Sequence, residues 1–351
     1  MLIYLKNFFH KHERRLGFAF LAGGFIFDSL TLQRVDLFWD NLVLLFYLFL
    51  VALGIVAINL RAGKHENLVS YATQFAFGGL FSGYIIFYSR SASLAASFPF
   101  FLMLAVFFVG NEFFREKYKR FNFNLGVFFV AVFSYTIFSL PVLLRRLGTD
   151  VFILSGFLSL GVVAVLMYLV KKTAPGKFSE RRKAGAFFTI GAIYVLFNIL
   201  YFTNIIPPIP LSMKEAGIYH KIERIFNGNY ALYGEQKEWY EFWRKNEFHF
   251  LPGGSVYAYS AIFAPTKIES RIFHRWSFYD ENENRWIELA KIGFPIFGGR
   301  DGGYRGYSVK ESVFPGKWRV DVVTERGQIV GRINFKILKA QIAPELKIEI
   351  R

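Results

Sequence analysis

Apolar positions gather into long unbroken runs over the first 206 residues and alternate with polar ones over much of the rest. Seven runs, at 16–32, 42–60, 69–88, 93–110, 124–144, 151–170 and 185–206, each approach the roughly 20 residues a helix needs to cross a hydrocarbon core. No water is available inside a bilayer, so every backbone amide there must be satisfied within its own segment. The runs do not alternate as barrel strands do, and they therefore predict seven transmembrane helices. Pro99 and Pro141 are expected to kink the fourth and fifth, Gly79 and Gly83 to permit close helix approach, and Gln74 and Asn198 to hydrogen-bond between helices.

The pattern changes at Pro207. Pro207, Pro208 and Pro210 stop the last helix and predict an extended strut. Connecting elements are expected over the rest of 207–255. Asn227-Gly228 signals a hairpin, although Ile218, Ile222 and Ile225 also fit a helical stripe; Trp239, Phe242 and Trp243 suggest a short amphipathic helix. From 256 to 351 the period is two. Ile272, His274, Trp276 and Phe278 share one strand face, Trp318, Val320 and Val322 another, and Ile329, Ile333 and Phe335 a third. The expected fold is a seven-helix transmembrane region over 1–206, then an all-β, immunoglobulin-like antiparallel sandwich, the whole exterior domain occupying about 207–351.

Charge adds an orientation. Sixteen Lys and Arg side chains fall in the N-terminal segment and alternate loops, against four (Arg34, Arg90, Arg145 and Arg146) on the other side. The positive-inside bias then places the N-terminus in the cytoplasm and, after seven crossings, the C-terminal domain outside. The first run follows a basic segment but exceeds a usual signal-peptide core and lacks an evident cleavage site, so it reads as an uncleaved span. The formal net charge of +16 is mostly this loop excess facing anionic lipid, which argues against nucleic acid as a partner. Composition agrees: 54% of residues are hydrophobic and 20% aromatic. The absence of cysteine excludes disulfides, thiolate metal sites and a cysteine nucleophile.

Several stretches carry a resemblance. IPPIPLSMKEAGIYH (206–220), APT (264–266), HRW (274–276), GGRDGGYRGYS (298–308), GKWRVDV (316–322) and GQIVGRINF (327–335) together resemble the bacterial domain-of-unknown-function family 2914, over about 206–337. The resemblance implies a bacterial envelope protein and supplies no activity, substrate or catalytic residue.

The residues themselves offer few chemical candidates. GGRDGGYRGYS lacks the Gly-Lys-Ser/Thr ending of a phosphate loop and has no helical pattern behind it. Its glycines suit tight turns, and Arg300, Asp301, Tyr304, Arg305 and Tyr307 form the leading candidate for ligand recognition, since a guanidinium beside tyrosines grips anions and stacks on sugars. The alternative is an internal Arg–Asp pair that pins the loop. His274 and Trp276 point the same way on a strand, either into the core or onto a small recognition surface. In the helical half Asp28 and Asp40 are the intramembrane polar candidates, for an ion or proton path or for interfacial pairing with neighbours such as Arg34. No fixed His, Asp and Glu cluster predicts a metal, no serine nucleophile elbow is present, and no cofactor is implied. These features favour a noncatalytic inner-membrane protein whose periplasmic sandwich binds an envelope glycan, peptide or protein, or serves as a scaffold. The alternative is a transporter or lipid-processing enzyme with the sandwich as an accessory.

Overall fold

The computed structural model describes residues 21–60, 66–90, 96–114, 117–177, 179–236, 246–250, 253–265, 269–297 and 302–351. Two units divide at Pro210 and Leu211, helical before and all-β after. The helical unit contains α1 (Leu21–Thr31), α2 (Phe38–Asn59), α3 (Glu66–Arg90), α4 (Phe98–Gly110), α5 (Phe121–Leu144), α6 (Thr149–Thr173) and α7 (Glu180–Phe202). Four of these, α2, α5, α6 and α7, are long and apolar enough among the described residues to cross a membrane. The expectation of seven spans is thus met by seven helices but by only four of spanning length and hydropathy. α4 has 13 residues, and α3, with 25, carries Ser70, Thr73, Gln74, Ser82 and three tyrosines.

α5 is central. In its most apolar stretch 78% of residues are buried, against about a third in the corresponding stretches of α2, α6 and α7. Helices that are apolar all round yet covered on only one side leave large side chains bare: Phe46 and Phe49 on α2, Phe157 and Val165 on α6, Phe188 and Val195 on α7. Polar groups point inward instead. Thr136 Oγ1 lies 2.8 Å from Ser159 Oγ, and Ser155 Oγ donates to the Thr136 carbonyl, joining α5 to α6. The buried hydroxyls of Tyr84 and Tyr88 donate from α3 to the α5 carbonyls of Ala131 and Ser134. Gln74 and Asn111 exchange side-chain-to-backbone bonds, so Gln74 links separate elements, whereas Asn198 turns back onto Tyr194 of its own helix.

Glycines set the α2–α3 approach: a Cβ on Gly79 would press on the Tyr47 ring at 2.6 Å, one on Gly83 would meet Leu44 at 2.8 Å, and one on Gly54 would collide with Thr73. Pro99 does not kink α4. It occupies the first turn, where the missing N–H has no intrahelical partner to lose. Pro141 lies in the last turns of α5, and Arg145, with φ of 55°, caps that end with its N–H on the Pro141 carbonyl. The proline segment is not an extended strut: Ile206 and Ile209 are buried in the helical core, Ile209 N–H bonds the Pro207 carbonyl, and the Ile209–Pro210 bond is cis.

Among the described residues the β unit has three sheets. β1 (Ser212–Tyr219), β5 (Val256–Phe263) and β8 (Tyr304–Lys310) form one, in the order β1-β5-β8. β4 (Glu247–Phe250), β10 (Ile329–Lys339), β9 (Gly316–Thr324), β6 (Glu269–Asp280) and β7 (Arg285–Phe297) form the second in that order, and β11 (Leu346–Ile350), β3 (Tyr230–Glu235) and β2 (Lys221–Arg224) the third. Pairing is antiparallel except between β4 and β10, which run parallel. The expected Asn227-Gly228 hairpin forms between β2 and β3, with Gly228 at φ +74°; the proposed helix at Trp239, Phe242 and Trp243 lies outside the described residues. Between the first two sheets pack Val256, Ala258, Trp276, Trp318, Val320, Phe335 and Ile337. Ile222 and Leu232 of the third sheet pack on Tyr259 and Ala261, the other face of β5. β5 is therefore a middle-layer strand, buried at seven of its eight positions, and its VYAYSAIF reads as a continuous apolar run because both faces are covered. The region expected to connect, 207–255, supplies β1 to β4.

We predict that Gly54→Val drives α2 away from α3 at a cost of about 1–3 kcal/mol. It is read as a lowered unfolding temperature of the detergent-solubilised full chain.

Candidate functional site

Strand alternation aims His274 and Trp276 of β6 inward, and both are fully buried. His274 Nε2 lies 2.8 Å from Ser260 Oγ on β5, and Nδ1 lies 2.8 Å from Ser308 Oγ on β8. Trp276 Nε1 donates to the same Ser308 oxygen at 2.9 Å. An indole only donates, so Ser308 accepts from Trp276. A neutral ring carries one N–H, so His274 donates to one of the two serines and accepts from the other. Burial pushes the imidazole pKa down to about 3, so the ring stays neutral at any ordinary pH. A sealed, neutral histidine between two serines is a polar clamp across two sheets, not a catalytic base, because no substrate reaches it.

The glycine-rich segment divides. Arg300 and Asp301 lie outside the described residues. Tyr304, Arg305 and Tyr307 stand on β8, with Tyr304 paired opposite Ile262. Gly303 sits at φ +80°, where a Cβ would meet the backbone of Ile262 and Ala261 at 3.0–3.1 Å, so only glycine lets the chain cross β5 this closely. Arg305 and Tyr307 face away from Ser308, toward the third sheet. Arg305 Nη1 donates to Asn229 Oδ1 at 2.9 Å, and Tyr307, 38% exposed, packs edge-on against Tyr230 at 5.8 Å and lies 6.3 Å from Tyr257. The result is a half-exposed patch of three tyrosines, one guanidinium and one amide, able to stack on a sugar face while donating to its oxygens.

A further cluster carried no sequence signal, because its members come from different elements. Glu235, at the end of β3, places Oε1 3.1 Å from His220 Nε2 and Oε2 2.9 Å from His249 Nδ1, and accepts the His249 amide at 2.5 Å. His220 stacks on Phe248 at 4.2 Å. Burial opposes ionisation of Glu235, but the three bonds from His220 and His249 outweigh it and hold its pKa at about 2. Its folded pKa is depressed, so its contribution to stability is present above the ordinary carboxyl range and is lost as pH falls from about 4.5 towards 2. No group of three or more His, Asp or Glu able to hold a metal occurs among the described residues.

In the helical unit Asp28 and Asp40 go separate ways. Asp40 is buried at the start of α2, where Oδ2 accepts the backbone N–H groups of Gln33 and Arg34 at 2.8 and 3.0 Å. Asp28 is half-buried on α1 beside Ser82 of α3 and Tyr47 of α2. Arg34 pairs with Asp36 at 2.7 Å, and Arg90 reaches the carbonyls at the end of α1, donating to Leu32 O at 2.9 Å. Asp150 pairs with Arg146 at the start of α6.

Residues 269–337 match the model of a family described as "Protein of unknown function (DUF2914)". The C-terminal region carries a DUF2914 domain. The match covers β6 to most of β10, and so contains His274, Trp276, Tyr304, Arg305 and Tyr307, while Ser260, Tyr257, Tyr230 and Glu235 lie ahead of it. No curated protein matches the chain. Among solved structures, Pseudomonas fluorescens alkylpurine DNA glycosylase AlkC bound to DNA containing an abasic site analog aligns over 87% of this chain and 99% of that one, at 9% identity. The TM-score of 0.22 is too low for that likeness to bear on fold or function.

Within the DUF2914 domain, His274 is neutral when folded and takes a proton when unfolded below about pH 6.5, so stability falls as pH drops from 6.5 towards 3. At pH 5 this amounts to about 2 kcal/mol. We predict that His274→Phe, which leaves Ser260 and Ser308 without their shared partner, costs about 1–3 kcal/mol at pH 7.5 and flattens the pH dependence between 6.5 and 5. Denaturant unfolding at pH 7.5, 6.5 and 5 measures both.

Proposed function

We propose that the chain is a noncatalytic recognition protein of the bacterial envelope, in which seven membrane helices anchor an immunoglobulin-like DUF2914 sandwich on the periplasmic side of the inner membrane. Membrane insertion is supported by the inverted character of the helical unit, with bare phenylalanines outside and paired hydroxyls within. The sixteen-to-four asymmetry of loop cations supports the orientation. Recognition rests on one observation: the half-exposed Tyr307, Tyr257 and Tyr230 beside Arg305 and Asn229. Aromatic faces next to a planar cation and an amide suit the hydroxyls and carboxylates of an envelope glycan.

Two measurements test this. A periplasm-dependent reporter fused after Arg351 is expected to be active, and activity of a cytosol-dependent reporter at the same position removes the proposed orientation. For recognition, the full chain in nanodiscs is titrated with soluble peptidoglycan fragments. Tyr307→Ala is expected to weaken binding about tenfold, a loss of about 1.4 kcal/mol, without changing the unfolding temperature; equal binding by the variant sinks the assignment of the patch.

A further inference from the structure

The outer face of the five-stranded sheet, turned away from the first sheet, carries a second polar constellation. Asp321 of β9 pairs across the strands with Arg332 of β10 and Arg275 of β6, and Arg275 in turn pairs with Lys291 of β7. Arg319, two residues before Asp321, points the same way. The Asp321 carboxylate has no solvent exposure, and three guanidinium groups surround it: Arg332 Nε at 2.5 Å, Arg275 Nη2 at 2.9 Å and Arg319 Nε at 3.5 Å. Hydrogen bonds from Arg332 and Arg275 overcome burial and hold Asp321 below the usual carboxyl range.

Within the cluster one carboxylate faces three arginines, which leaves two positive charges over; elsewhere on the face Glu247 of β4 lies opposite Lys336, and Glu288 of β7 lies opposite Ser277, the neighbour of Arg319. Arg319 stacks its guanidinium over the Trp286 ring at 4.4 Å, and its buried Nε, 3.5 Å from the carboxylate, makes no hydrogen bond. Arg275, Arg319 and Arg332 keep 16–26% of their side-chain surface open, and Lys291 and Lys336 stand exposed on the same face. A purely structural carboxylate needs one guanidinium to balance it; three planar forks fixed by a carboxylate beneath them and a tryptophan beside them form a preorganised cationic surface.

We propose that this face binds a phosphoryl group. A phosphate monoester carries about −1.5 to −2 charge at neutral pH and three acceptor oxygens, which matches the uncompensated charge and the spare N–H donors of the three arginines. The site is separate from the tyrosine patch and stands whether or not that patch binds a glycan.

The test uses the full chain in phosphatidylcholine nanodiscs. In one arm it is titrated calorimetrically with inorganic phosphate and glycerol 3-phosphate, with chloride as control; in the other, retention is measured on vesicles of phosphatidylcholine alone or doped with phosphatidic acid. Saturable binding in the soluble arm identifies a free phosphate ester as ligand, and binding confined to phosphatidic acid vesicles identifies a lipid headgroup. Binding in neither arm overturns the proposal. Arg319→Gln is expected to weaken binding at least about tenfold. Should that variant not fold, the double variant Lys291→Gln/Lys336→Gln, which leaves the Asp321 cluster whole, is expected to weaken it about three- to tenfold at unchanged unfolding temperature. Wild-type affinity in a folded form of either variant overturns the proposal.

Discussion

One hydroxyl, that of Ser308, satisfies the Trp276 indole and one nitrogen of His274, and the other nitrogen reaches Ser260. A buried polar group without a partner costs about 1–3 kcal/mol, so the four side chains are stable only together. Because side chains alternate along a strand, the clamp also fixes what faces outward. With Ser308 inside, Tyr307 turns towards Tyr230; with Ser260 inside, Tyr257 and Tyr259 turn towards the third sheet; with His274 and Trp276 inside, Arg275 turns to Asp321. A slip of one residue in β6 would bury Arg275 and expose the indole, and one in β8 would bury Arg305 and turn Ser308 outward. Both outer surfaces of the DUF2914 domain thus depend on one interior network.

The clamp is tolerable because its surroundings are closed. Phe294 meets the His274 ring edge-on at 4.9 Å and occupies the space a Cβ on Gly306 would need, so glycine at that position seals the histidine. The third sheet covers the far side of β5 and leaves Tyr307 at its margin, where the aromatic edge meets solvent. In the helical unit the same rule of polar satisfaction gives the opposite distribution. Polar side chains lie on helix-helix seams, where Thr136, Ser155 and Ser159 bond one another and nearby carbonyls, while the outer faces are left to phenylalanine, leucine and valine. Gly54, Gly79 and Gly83 bring α2 and α3 close enough for dispersion between them to matter.

The sequence by itself determined the division into an apolar helical half and an alternating β half, the helix boundaries to within a few residues, the β2–β3 hairpin and the shared face of Trp318, Val320 and Val322. These are local properties, written in hydrophobic period and in turn residues. It did not separate helices of spanning length from shorter ones such as α4, because an apolar run of 93–110 does not show that the helix takes up only Phe98–Gly110 of it. Tertiary structure alone decided the pairing of β11 with β3, the parallel β4–β10 pair and the strands β1 and β4 within 207–255, since pairings between segments distant in sequence leave no periodic trace. It likewise decided the sites. His220, Glu235 and His249 are far apart in sequence, as are Arg275, Asp321 and Arg332, and Arg305 finds a partner in the distant Asn229. Periodicity tells which way a side chain points, whereas its partner depends on which strand lies opposite, and only the folded chain sets that.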